Sequence, residues 1–140
     1  MVKQRECEQK KKGCVRCPYL DITYEQQLKK KQKYIKNLLG NFGKVRPIIG
    51  MEHPWHYRNK AISTFSAVKG SQLVSGIYKE GTHMVIPVEA CLLHHERLDE
   101  AIDAVRRAAL FWRYKPYDED RHTGLIRHVL VRHSRMTDEI

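Results

Sequence analysis

The chain has 140 residues, the size of one ordinary domain with a modest core. It carries 26 Lys and Arg against 16 Asp and Glu, a formal charge of +10, with 41% hydrophobic residues. No apolar run approaches the roughly 18 residues of a membrane span, and Met1-Val2-Lys3-Gln4-Arg5-Glu6 has no apolar stretch behind it, unlike a secretory signal. A cytoplasmic protein with no membrane partner is expected. Its positive charge favours a polyanion, because each neutralised phosphate releases counterions, and nucleic acid is the default partner.

Residues 1–21 hold three cysteines and Lys10-Lys11-Lys12, show no period and read as an irregular loop. Thr23 and Gln26 fit a capping box that opens a helix. Tyr24, Leu28, Ile35, Leu38 and Leu39 give that helix a sparse apolar stripe to about residue 39, and lysines crowd the rest. Gly40 falls at the C-cap, which explains it better than a Gly40-Asn41-Phe42-Gly43 RNA clamp does. Residues 41–56, with Pro47 and Pro54, read as extended or looped.

Tyr57 to Val68 and Gln72 to Lys79 read as strands joined by a turn at Lys69-Gly70-Ser71. Met84 to Val88 is a short strand whose Pro87 favours an edge. Glu96 to Trp112 is the clearest helix: Leu98, Ala101, Ile102, Val105, Ala108, Ala109 and Trp112 follow 3-4 spacing. A charged loop covers 114–123, and Gly124 to His133 is a last strand. The fold class is α+β: an antiparallel sheet of about four strands, covered on one face, with two main helices and an irregular Cys-rich N-terminal loop. Residues 1–21 form the loop and 22–140 the body of one domain. A chain that ends on a strand and a turn leaves backbone groups unpaired, which points to a piece of something larger.

Cys7, Cys14 and Cys17 have C-x6-C and C-x2-C spacing, and Cys91 lies at the junction of the short strand and the long helix. In a reducing compartment, clustered cysteines bind metal more often than they form disulfides. Four thiolates suit zinc or a 4Fe-4S cluster, and spacing does not separate the two. Arg5, Lys10, Lys11, Lys12 and Arg16 surround the loop and favour thiolates. Tyr57, Arg58 and Lys60 place an aromatic beside cations, a pattern that suits single-stranded RNA. Arg127, His128 and Arg132 on the last strand are candidate phosphate contacts.

Together these residues resemble a family. The set is Cys7…Cys14-Val15-Arg16-Cys17, Tyr24-Glu25-Gln26-Gln27-Leu28 with Lys31, Tyr57-Arg58-Asn59-Lys60, Gly76, Thr82-His83, Cys91, and Gly124-Leu125-Ile126-Arg127-His128-Val129 with Val131-Arg132. In this order and spacing it is similar to the cluster-containing RNA (uracil-5-)-methyltransferases, across nearly the whole chain. The resemblance implies a three-part enzyme: an OB-like RNA-binding domain, a central α+β domain with a 4Fe-4S cluster on four cysteines, and a domain that binds S-adenosylmethionine and methylates uridine C5. This chain matches the central part. The resemblance implies Cys7, Cys14, Cys17 and Cys91 as cluster ligands and adds His83 to the RNA-facing residues; the partner would be rRNA or tRNA. The C-x6-C spacing is one residue longer than the family's C-x5-C.

The family's catalytic cysteine context, Ser-Cys-Asn-Pro, is absent, as are the Asp-Pro-Pro-Arg type motif and a G-x-G loop for S-adenosylmethionine. No catalytic residue is therefore expected here, the chain alone is expected to be inactive, and S-adenosylmethionine belongs to the full-length enzyme. A monomer is favoured. Two alternatives stand beside this reading: a stand-alone RNA-binding module with a structural cluster or zinc, and a small redox protein.

Overall fold

The computed structural model describes residues 6–68 and 72–140. The expected turn at Lys69-Gly70-Ser71 and the cation Arg5 lie outside the described residues. The chain forms two compact units, one including Arg16–Pro54, the other made of Cys7–Val15 and Trp55–Ile140.

The first unit is built on α2 (Tyr24–Leu39). Its start is the expected capping box: the Gln26 backbone N–H donates to Thr23 Oγ1 at 3.2 Å, and the Thr23 N–H donates to Gln26 Oε1 at 3.0 Å. Gly40 does cap the C-terminus, but in a right-handed conformation (φ −60°, ψ −28°) and not the left-handed one that favours glycine. No α2 residue is fully buried. Tyr24 and Leu28 of its stripe lie beside Gly50 in the extended segment that follows, while Ile35, Leu38 and Leu39 stay exposed. The Met51 N–H donates to the Tyr24 hydroxyl at 2.7 Å, and the Gln32 amide bonds Arg46 and Ile48 backbone groups.

The second unit begins with a short helix, α1 (Glu8–Lys11), so the cysteine loop is more ordered than its lack of period implied. Its sheet contains β1 (Lys60–Val68), β2 (Gln72–Tyr78), β3 (Val85–Pro87) and β4 (His128–Arg132). All pairings are antiparallel and the order is β3-β2-β1-β4, so Pro87 is indeed on an edge strand. The helix α3 (Glu96–Phe111) packs on β1, β2 and β4. The α+β class and the four-stranded sheet with two main helices agree with the sequence reading.

Strand alternation decides which face is dry. Ala61, Phe65, Leu73 and Val131 meet Leu98, Ile102 and Ala109 of α3 in the core. The intervening positions form the opposite face. There Lys60 pairs with Arg132 and Ile62 with Leu130, all exposed, and Thr64 pairs with His128.

Beside one-residue shifts at the ends of β2 and β3, three differences from expectation have a cause in the fold. β1 starts at Lys60 and not at Tyr57, because Arg58 instead makes a parallel bridge to His94. β4 starts at His128 and not at Gly124, because residues 116–126 fold back on themselves through Pro116–Ile126 and Asp118–Thr123 bridges. Arg127 therefore precedes the strand. Trp112, expected on the core stripe of α3, is its C-cap and is 65% exposed. Beyond β4 the chain is tied down by His133, buried, stacked on His95 at 4.1 Å and bonded to Asp138 at 2.7 Å. Among the described residues no helix is long and apolar enough to cross a membrane.

Candidate nucleic-acid interface and metal centre

Two polar sites belong to the second unit. The first joins the end of β2, the turn before β3 and the loop after α3. Arg127 forks onto Glu119, its Nε and Nη2 donating to Oε1 and Oε2 at 2.8 and 2.7 Å. The Tyr78 hydroxyl donates to the same Oε1 at 2.6 Å. Arg127 also lies over the Tyr117 ring at 5.0 Å. His83 Nδ1 is 2.9 Å from Asp120 Oδ1. Tyr78 touches both histidines, His83 at 6.3 Å and His128 edge-on at 6.2 Å between ring centroids. Tyr78, His83, Tyr117 and Glu119 line a cavity of about 250 Å³.

The electrostatics follow from these contacts. Hydrogen bonds from Arg127 and then Tyr78 hold the Glu119 carboxyl below its ordinary range. Burial and the bond to Glu119 push the Tyr78 phenol up. Glu119 is thus a fixed anion that orients an arginine and a tyrosine at the cavity wall.

Three of the expected RNA-facing residues, His83, Arg127 and His128, are brought together here. Lys60 and Arg132 form a separate cationic pair directly opposite one another on the uncovered sheet face. Like charges in that position repel, and an anion between them would relieve the repulsion. Tyr57 is 41% exposed and stands with Arg58 before β1, where the Arg58 N–H bonds the Leu93 carbonyl at 2.8 Å. Tyr78, Tyr117, Glu119 and Asp120 escaped the sequence reading. Their signal was a carboxylate-rich loop close in sequence to Arg127, with nothing to show which carboxylate it meets.

The second site surrounds Cys91. Its N–H donates to Asp99 Oδ2 at 3.0 Å, and His94 Nδ1 lies 2.7 Å from Asp99 Oδ1. Burial works against ionising the Cys91 thiol. Hydrogen bonds with the His94 side chain and from backbone groups of Leu93 and His94 outweigh it and hold the thiol below its ordinary value. Burial likewise disfavours a charged His94, but bonds to Asp99 and Cys91 raise its pKa to about 9. The loop holding Cys7 and Cys14 approaches the strand before Cys91: a Cβ on Gly13 would stand 3.7 Å from Ile86 Cδ1. Cys17 belongs to the other unit.

All four cysteines are half-buried free thiols, the residue type that thiolate-bound metals and clusters use. Among the described residues, however, no three His, Cys, Asp or Glu side chains converge into a group that could hold a metal ion.

No protein-family model matches the chain. It is 38% identical over 132 residues to a protein of Halalkalibacterium halodurans named an uncharacterized RNA methyltransferase, covering 91% of this chain and 29% of that one. Like-named proteins of Bacillus cereus and Listeria monocytogenes are 37% and 32% identical, again over 91% of this chain and 28% and 29% of theirs. Among solved structures, the Pyrococcus abyssi tRNA (uracil-54, C5)-methyltransferase in complex with S-adenosyl-L-homocysteine superposes with a TM-score of 0.71 at 18% identity. That match covers 90% of this chain and 29% of the other, and establishes a shared fold. The chain is therefore a homologue, over nine tenths of its own length, of one segment of proteins named RNA methyltransferases, and it spans about 29% of their length.

Proposed function

We propose that this chain is the RNA-binding and cluster-holding part of an RNA (uracil-5-)-methyltransferase, acting on rRNA or tRNA in the cytoplasm. The observation that carries the proposal is the homology to RNA methyltransferases over 91% of the chain. RNA binding is supported by the charge of +10 and by the cationic pair Lys60 and Arg132 on an uncovered sheet face. Transfer of a methyl group from S-adenosylmethionine belongs to residues outside this chain. The contribution here is to hold and orient the RNA.

Cys7, Cys14, Cys17 and Cys91 would hold a 4Fe-4S cluster. When bound, the cluster would supply a covalent tie between sequence-distant thiolates. Half-buried free cysteines at all four positions support this assignment by residue type, while among the described residues no three donors converge. The chain's own residues keep Cys91 ready for ligation: Asp99 fixes its backbone and the His94 ring.

Two measurements test the proposal. Anaerobically purified protein is expected to be brown and to contain about four irons per chain. One stoichiometric zinc and no colour would replace the cluster with zinc; no metal at all would remove the cage. RNA oligomers are expected to bind with an affinity that falls steeply with salt. Absence of binding at low salt would overturn the RNA assignment.

A further inference from the structure

The C-terminal end of α3 presents side chains that the fold leaves outside. Phe111 is 77% exposed, Trp112 65% and Tyr114 46%. Phe111 and Trp112 stand edge to face with centroids 5.2 Å apart. Cations interleave with them as Phe111-Trp112-Arg113-Tyr114-Lys115. Residues 104–117 contain Arg106, Arg107, Arg113 and Lys115 and no carboxylate. Asp103, one step earlier, pairs with Arg106 and Arg107 and leaves Arg113 and Lys115 beyond its reach on the helix.

The backbone that displays these rings is specific. The Tyr114 N–H reaches back to the Ala109 carbonyl at 2.8 Å and the Arg113 N–H to Leu110 at 3.1 Å, a closed helix-ending turn. That turn needs a left-handed residue at its centre, and Arg113 occupies it with φ 54°. Glycine adopts this conformation freely and arginine does not. Arg113 is one of four non-glycine residues found in this conformation among the described residues, and here the turn sets a cation between two exposed aromatics.

Building on the proposal that this chain binds RNA, we propose that Phe111, Trp112 and Tyr114 form a stacking platform for unpaired bases of that RNA, with Arg113 and Lys115 holding the adjacent phosphates. Flat π faces accept any base, and interleaved cations follow the backbone, which is how single strands are gripped without sequence preference. A purely apolar partner would leave Arg113 and Lys115 desolvated without compensation.

The test uses the whole chain and a single-stranded RNA oligomer. The chain has two tryptophans, so Trp55→Phe leaves Trp112 as the sole emitter. Titration with RNA is expected to quench Trp112, and Trp112→Ala is expected to weaken binding on the order of ten-fold with unchanged circular dichroism. Arg113→Gly supplies a second variant suited to the left-handed turn: it relieves the strain, so it is expected to keep its fold and melting temperature yet to bind RNA more weakly. Unchanged affinity in both variants, with wild-type protein still binding RNA, overturns the platform and leaves RNA binding by the chain standing. Loss of binding in the wild type overturns both. Self-association that Trp112→Ala abolishes, without RNA quenching, assigns the patch to protein and overturns the proposal.

Discussion

Gly76→Ala offers a direct test of how the sheet is assembled. Gly76 on β2 faces Pro87 on β3. A Cβ there would stand 1.9 Å from the Ile86 carbonyl oxygen, 2.8 Å from its carbon and 3.0 Å from Pro87 Cα. All three atoms are backbone, so no rotamer change relieves the contact, and β3 has to retreat by just over 1 Å to restore even a 3.0 Å separation. Overpacking of this kind costs about 1–3 kcal/mol. Retreat also weakens neighbouring backbone bonds, Val88 N–H to Ser75 and Lys79 N–H to Met84, at about 1 kcal/mol each. A gain of about 0.5 kcal/mol from a stiffer unfolded chain offsets part of this. The net expectation is about 3 kcal/mol, or roughly 10 °C in Tm at this size. Urea unfolding followed by tryptophan fluorescence suits the measurement, because Trp55 and Trp112 both lie in the sheet-bearing unit. A loss under about 1 kcal/mol for Gly76→Ala would refute the close approach of β2 and β3.

Other outcomes follow from the two sites. Glu119 has a depressed folded pKa, so its contribution to stability is complete above the ordinary carboxylate pKa, about 4.5, and is lost as pH falls through the lower folded value. The acid limb of a Tm–pH profile should therefore flatten in Glu119→Gln, and an unchanged limb would discount the Arg127–Glu119–Tyr78 network. Removing Lys60 or Arg132 should reduce the slope of log affinity against log salt by about one each if each meets a phosphate; an unaltered slope removes them from the interface. Cys91→Ser should lower metal content and thermal stability together, measured by metal analysis and melting, and full metal content in the variant would take Cys91 out of the cage.

The sequence alone determined the elements that rest on local rules. The capping box at Thr23 and Gln26, the 3-4 spacing of Leu98, Ile102 and Ala109, and Pro87 as an edge residue all act within a few residues, and each is found in the structure. The four cysteines can be read from residue type and spacing as a candidate donor set, but convergence is a tertiary property, and among the described residues no three such donors converge. Only tertiary structure decided what a period cannot carry. Trp112 fits the α3 stripe, yet the helix ends at Phe111 and the ring of its C-cap residue stays outside. Arg127 reads as a free cation until the loop after α3 folds back and delivers Glu119 to it. His94 lies next to His95 and close to Cys91 in sequence, but only the start of α3 shows that Asp99 meets its ring. For Arg127 the deciding partner is brought by a chain reversal, and the free energy that selects it comes from pairing between segments whose register no local pattern encodes.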